Sequence, residues 1–312
     1  MRRAGDPRDV VREATARAQA SPSWLGAVCD LPPDTVTGLL PFYLPLAQHI
    51  VQLHEAKKAP LTVGIQGPQG AGKSTLTLLL QRVLVDVCGY RVATLSIDDL
   101  YLTRSERAAL AQQVHPLFMT RGVPGTHDVA LGLRTLEALT RPGRTSIPRF
   151  DKAQDDRVPE SAWPEVDGPC DVVLFEGLWI GLPPLDEASL RAPINTLEAS
   201  EDPDGVWRGH ANRALADCYP ALFARSELLV HVQVPDFACV KRWRSGAEHA
   251  LRARLLARGE DPSRLMDAAA LARFFDHYER FTAHAMARMP GSADALLQVD
   301  REHRVVAFSL TR

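Results

Sequence analysis

The chain has 312 residues, enough for one large α/β domain or two small ones, and its 24% charged beside 46% hydrophobic residues suit a globule with a sizeable core. A formal net charge of -2 gives no reason to expect nucleic acid or an anionic membrane as partner, so any anion site must be local. Its five cysteines, Cys29, Cys88, Cys170, Cys218 and Cys239, are scattered without a C-x-x-C pair, which argues against a disulfide framework and for a reducing compartment.

Residues 1–20 read as a polar helix rich in Ala and Arg. The opening Met1-Arg2-Arg3-Ala4-Gly5-Asp6 lacks the apolar core of a secretory signal, and Asp6, Asp9 and Glu13 weigh against an organelle address. No apolar run approaches the ~20 residues of a membrane span. A cytoplasmic location is the expectation. After Pro32-Pro33, a second helix is expected to open at Pro45, with Leu46, Ile50 and Leu53 on one face, and to end near Lys57-Lys58. Residues 1–58 are thus expected to form a helical extension packed beside the remainder, with no chemistry of its own.

The stretch Gly67-Pro68-Gln69-Gly70-Ala71-Gly72-Lys73-Ser74 fits the phosphate-loop pattern G-x-x-x-x-G-K-[ST] in full, with Thr75 following. Its context agrees: Leu61 to Ile65 are apolar and β-prone, and Thr75 to Val87 continue as a leucine-rich helix. The glycines let successive N–H groups point inward at phosphate oxygens, and the helix N-terminus adds partial positive charge. Lys73 is expected to reach the β- and γ-phosphates, and the Ser74 hydroxyl to sit on Mg²⁺. Residues 67–75 therefore predict binding of a nucleoside triphosphate.

Downstream, 91–97 reads as a strand, 104–113 as a helix and 129–140 as another, with Asp128 placed to cap it. Residues 146–152 read as a short edge strand, and 171–175 as a buried strand ending at Glu176-Gly177. A Pro/Asp/Glu-rich excursion spans 181–205, then a helix 206–225 and a strand 228–234. Two long helices are expected near 236–258 and 264–288. In the second, Leu271, Phe274, Tyr278, Phe281 and Ala285 share one face, as core residues do. Strands at 295–299 and 305–310 close the chain. This alternation implies a parallel sheet flanked by helices, with ligands beyond the carboxyl ends of the strands.

That rule sorts the carboxylates. Asp98 and Glu176 both stand at strand C-termini, on the rim of the phosphate loop. Asp171 begins its strand, and five residues at about 3.3 Å each put it roughly 16 Å away, on the opposite rim. Glu176 is the better Mg²⁺ candidate, through a bound water. Asp98 is either a magnesium ligand or the base for a hydroxyl nucleophile. Asp99 points elsewhere, and capping of the 104–113 helix is the alternative role for both aspartates.

Several segments resemble one family. Gly67 to Ser74 and Ser-Ile-Asp-Asp-Leu-Tyr-Leu-Thr at 96–103 resemble the phosphoribulokinase/uridine kinase/pantothenate kinase group of P-loop kinases. Thr-Arg-Gly-Val-Pro-Gly-Thr-His-Asp-Val at 120–129, Pro-Arg-Phe-Asp-Lys at 148–152, Phe-Glu-Gly at 175–177 and Val-Pro-Asp-Phe at 234–237 narrow it to the D-glycerate 3-kinases. The resemblance implies a P-loop NTPase fold over 59–312, ATP and Mg²⁺ as cofactors, and phosphoryl transfer to the 3-hydroxyl of D-glycerate. It also implies Asp98 as base and Glu176 as the acidic residue near magnesium, with Lys73 completing the catalytic set. One departure stands out: an aromatic is expected directly after Glu-Gly, whereas here Leu178 precedes Trp179.

A three-carbon acid needs a cation for its carboxylate. Tyr101, Arg121, His127, Arg149 and Lys152 lie in the motif-bearing segments and are the candidates for holding such an acceptor. Lys241-Arg242-Trp243-Arg244 opens the helix after Pro235, where Arg242 or Arg244 is placed to act as a lid residue on the transferring phosphoryl group. Two other functions fit the same loop: a uridine-kinase-like nucleoside kinase, which needs a larger aromatic pocket, and a nucleotide-dependent switch.

Overall fold

The computed structural model describes residues 9–21, 23–29, 31–258, 261 and 266–311. The opening residues 1–8 and the start of the helix expected from 264 lie outside them. From the N-terminus come α1 (Asp9–Ala20), α2 (Ser23–Cys29) and α3 (Pro33–Lys57). The last of these departs from expectation: it is one helix opening at Pro33, with Pro41 and Pro45 both inside it. An internal proline costs about 3 kcal/mol, so the pair costs about 6. Against that, Leu40, Tyr43, Leu44, Leu46 and Ile50 are all buried, and each such side chain contributes about 1.5–3 kcal/mol. Burial outweighs the local penalty.

The chain then alternates through β1 (Leu61–Gln66), α4 (Lys73–Asp86), β2 (Val92–Ser96), α5 (Arg104–Gln113) and α6 (Val129–Leu139). Short strands follow: β3 (Gly143–Ser146), β4 (Phe150–Asp151), β5 (Asp156–Arg157) and β6 (Glu165–Gly168). After β7 (Val172–Gly177) come α7 (Glu187–Leu190), α8 (Thr196–Glu201), α9 (Val206–Asp217) and α10 (Tyr219–Phe223). The chain closes with β8 (Leu228–Gln233), α11 (Phe237–Ala257), α12 (Ala268–Arg288), β9 (Ala295–Val299) and β10 (Val305–Leu310).

The main sheet runs β10-β9-β8-β1-β7-β2, parallel throughout except for β10. Side chains alternate between its faces, as a strand's period of two requires. In β7, Val172 and Leu174 join a core with α3 and α4, while Val173 and Phe175 join one with α6, α9, α10 and α12. Both faces are covered, which is why these strands read as continuous apolar runs. None of the described helices is long and apolar enough to cross a membrane.

Two local differences bear on the site. The expected single strand over 146–152 is two arms of separate hairpins, β3 pairing with β6 and β4 with β5. Pro148, which has no N–H to give a ladder, lies between them. The expected helix 206–225 breaks at Cys218 into α9 and α10, with Pro220 in the first turn of the second. Elsewhere the caps behave as their chemistry suggests. Asp128 accepts from Leu131 N at 2.8 Å. The start of α5 is a capping box of Thr103 and Glu106, so neither Asp98 nor Asp99 is spent on capping it.

Candidate active site

Register sets the geometry of the rim. Glu176 of β7 stands level with Ile65 of β1 on one side and Ser96 of β2 on the other. The phosphate loop, Glu176 and the turn after β2 therefore open onto the same edge. At the other edge, Asp171 Oδ2 accepts from Arg91 N at 2.7 Å and ties the strand starts together.

Residues Gly67 to Gly72 curl into the loop, with Gly70 and Gly72 in the left-handed region at φ 72° and 93°, which side-chain-bearing residues enter only at a cost. Gly72 then caps α4, and Lys73, Ser74 and Thr75 form its first turn. Lys73 Nζ donates to Pro68 O of its own loop at 3.0 Å. Burial lowers its pKa, against the opposing pull of the Glu176 and Asp98 carboxylates. A buried ammonium held by one carbonyl, at a helix N-terminus, suits phosphate oxygens. Ser74 Oγ donates to Glu176 Oε1 at 3.2 Å. This hydroxyl and carboxylate together fit a Mg²⁺ ion that keeps most of its waters.

Asp98 sits on the 3-10 turn after β2, its N–H bonded to Ser96 Oγ at 3.2 Å. Both of its oxygens are engaged: Tyr101 Oη donates to Oδ1 at 2.9 Å and Lys152 Nζ to Oδ2 at 2.6 Å. Burial pushes the carboxyl upward, but the Lys152 charge and hydrogen bond, the Tyr101 bond and Lys73 together hold it below the usual range. It is held as an ionised carboxylate, near enough to Lys73 for the two charges to act on each other.

The other candidates divide. Tyr101 is buried and touches Asp98 directly, its ring stacked on His127 with centroids 4.7 Å apart. His127 does not offer a cation as the sequence suggested. It is 5% exposed, shares a hydrogen bond with Tyr219 Oη at 2.6 Å, and burial lowers its pKa to about 4. A neutral ring behind Tyr101 positions that side chain and cannot pair with a carboxylate. Arg121 forms an ion pair with Asp155 and lies over the Phe150 ring at 5.3 Å. Arg149 donates to Asp99 Oδ2 at 3.2 Å. Lys152 alone of these cations is paired to Asp98.

Arg242 and Arg244 both have partners elsewhere on the chain. Arg244 pairs with Glu248 one turn further along α11 at 2.8 Å, and Arg242 donates to Arg301 O at 3.0 Å. The residue between them approaches the phosphate loop instead: a Cβ added at Gly70 would lie 3.8 Å from that of Trp243, whose ring stacks on His303 at 4.3 Å.

Sequence reasoning missed several supports. Asp99 binds Arg149 and, through Oδ1, Phe150 N at 3.1 Å, and so anchors β4 and the hairpin bearing Lys152. Arg107, fully buried, donates to Met119 O and pairs with Asp155 at 2.9 Å. Trp179 Nε1 donates to Gly122 O at 2.7 Å, and Tyr278 Oη to Arg121 O at 2.9 Å. The Tyr278 hydroxyl would lie 1.9 Å from any Cβ at residue 122, where φ is 130°, so only glycine fits there. Leu178 is buried in the core behind this wall, and the one-residue displacement of the aromatic leaves Trp179 pinning the 120–128 loop.

No protein-family model matches the chain. It is 34% identical over 230 residues to the chloroplastic D-glycerate 3-kinase of Arabidopsis thaliana, an alignment covering 68% of this chain and 48% of that protein. Over 207 residues it is 37% identical to an uncharacterized kinase of Schizosaccharomyces pombe, covering 63% of this chain and 73% of the relative. The chain belongs to the D-glycerate 3-kinase family of P-loop kinases. The solved structure of D-glycerate 3-kinase from Cryptococcus neoformans shares its fold at a TM-score of 0.71 and 27% identity, covering 86% of this chain and 98% of that one. The match spans about half the length of the plant member of the family.

Proposed function

We propose that this chain is an ATP-dependent kinase that transfers the γ-phosphoryl group to the 3-hydroxyl of D-glycerate. The observation that carries this is the Asp98 carboxylate, flanked by Tyr101 and Lys152 and within electrostatic reach of the Lys73 ammonium. A hydroxyl base, a cation for an acid group and a phosphate-binding lysine then share one edge. The two relatives named D-glycerate 3-kinase support the choice of acceptor.

In this reading residues 67–75 cradle the ATP phosphates, with Lys73 on the β- and γ-oxygens. Ser74 and Glu176 would hold Mg²⁺, which would offset phosphate charge. Lys152 receives the acceptor carboxylate, and Tyr101 keeps Asp98 oriented. Asp98 takes the hydroxyl proton as the new O–P bond forms and ADP leaves with the electron pair of the broken one. Residues 1–58 serve as a helical extension to the kinase unit of 59–312. The acceptor is a small molecule, with neither nucleic acid nor membrane as partner. The free cysteines Cys88, Cys170, Cys218 and Cys239 favour a reducing, cytoplasmic setting.

An ADP-coupled assay over D-glycerate, L-glycerate, uridine and pantothenate, followed by NMR of the product, tests the proposal. D-Glycerate should stimulate ADP formation strongly and yield 3-phosphoglycerate. Preference for uridine or pantothenate, or ADP formation indifferent to every acceptor, would reject it.

A further inference from the structure

We infer that Lys152 is an acceptor-operated gate on Asp98: without acceptor its ammonium covers the carboxylate, and an anionic group on the acceptor draws it off, freeing that oxygen for the hydroxyl. The inference rests on the kinase reading above and adds how the site withholds phosphoryl transfer from water.

The contact that would have to break is built to break. Lys152 Nζ lies 2.6 Å from Asp98 Oδ2, with the lysine side chain 61% exposed and the aspartate 26%. The lysine keeps most of its hydration in this pair, so exchanging one carboxylate for another costs it little. The lysine stem is long and freely rotating, and its ammonium needs no fixed fork geometry. It stands on the turn of the β4–β5 hairpin, where Asp151 Oδ1 accepts from Ala153 N at 2.8 Å and from Gln154 N at 3.2 Å. Asp99 pins the base of that hairpin through Arg149 and Phe150 N. The backbone is therefore fixed while the side chain can turn.

The other cations nearby are placed differently. Arg149 and Arg121 are held by Asp99 and Asp155, and their removal would release the hairpin and its support. Lys152 pairs instead with the carboxylate proposed to do the chemistry. With Tyr101 on Oδ1 and Lys152 on Oδ2, Asp98 has both oxygens occupied and a neighbouring positive charge. A water molecule or a neutral alcohol offers the ammonium a hydrogen bond but no negative charge in exchange. An acid offers that charge, and its hydroxyl can then donate to the exposed oxygen. The hydroxyl oxygen bonds to the γ-phosphorus, the bridging P–O bond breaks toward ADP, and the proton passes to Asp98. If water attacked instead, the product would be inorganic phosphate.

The test is phosphate release from Mg·ATP without acceptor, in wild type, Lys152→Met, Lys152→Arg, and Lys152→Met combined with Asp98→Asn. Loss of a charge-assisted contact corresponds to about tenfold or more. Lys152→Met should therefore release phosphate about tenfold faster than wild type, and raise the KM for D-glycerate by about as much, with the KM for ATP unchanged. Lys152→Arg should restore suppression, and the Asp98→Asn double variant should abolish the rise. A Lys152→Met rate no higher than wild type, a rise that survives Asp98→Asn, or a change confined to the KM for ATP would each overturn the gate. If wild type ignores D-glycerate, the acceptor assignment falls by itself, while acceptor-free release still decides whether Lys152 restrains Asp98.

Discussion

Two sets of ion pairs differ in what surrounds them. Arg208–Asp202 and Arg280–Glu198 tie the 181–205 excursion down with side chains that are 1%/1% and 4%/0% exposed. Their remaining donors are satisfied as well: Arg208 Nε binds Leu190 O at 2.7 Å, and one Arg280 Nη binds Ala192 O at 2.7 Å. Lys152–Asp98 and Arg149–Asp99 sit at the mouth of the site, with cations 61% and 35% exposed. A dry, saturated pair fixes a loop, because removing one partner strands a charge. A wet pair can trade partners. Arg208 and Arg280 thus sit in fixed pairs, whereas Lys152, the most exposed of these cations, sits in one that can exchange.

Mutations that separate rate from stability sharpen this contrast. Lys73→Ala should lower kcat by at least about 10³-fold with little change in melting temperature, because it deletes charge at the developing transition state. Turnover above about a tenth of wild type would remove the phosphate-loop assignment. Arg280→Met should do the reverse. It leaves the Glu198 carboxylate buried and unpaired, costing about 3–5 kcal/mol in urea unfolding while the folded fraction keeps its turnover. An unchanged unfolding midpoint would blur the division between the two sets.

Smaller effects test the rim itself. Glu176→Gln should raise the Mg²⁺ requirement far more than Asp171→Asn, since only the former shares an edge with Ser74. Equal magnesium dependence in the two variants would contradict that placement. Arg149→Ala should raise the KM for D-glycerate about tenfold, the equivalent of about 1.4 kcal/mol, with the KM for ATP little changed. An unaltered glycerate KM would detach the hairpin from acceptor binding.

How far the molecule could be read in advance follows the same line between local and distant causes. The phosphate loop is contiguous, so its residues identify themselves. Glu176, Asp98 and Asp171 were sorted by which end of a strand they occupy, and the strand register agrees with that sorting. The Asp99–Arg149 pair joins residues 50 positions apart and the Trp179–Gly122 bond residues 57 apart, with no periodicity to announce either. His127 looked like a cation because its burial is set by Tyr101 and Tyr219, from separate parts of the chain. Helix α3 ran through two prolines because tertiary burial overrode a local penalty.

The central claim is that Asp98 belongs to the acceptor side of the rim, as the base, while Ser74 and Glu176 carry the metal. Asp98→Asn keeps the shape and one acceptor oxygen but removes charge and basicity. Single-turnover phosphorylation of D-glycerate, measured across a Mg²⁺ titration, reads the difference directly. The account predicts near-normal binding of ATP and a rate lower by about 10²–10⁴-fold at every magnesium concentration, the range of general-base catalysis. Recovery of the rate at high Mg²⁺, with weakened Mg·ATP binding at low, would contradict it and move Asp98 into the metal site.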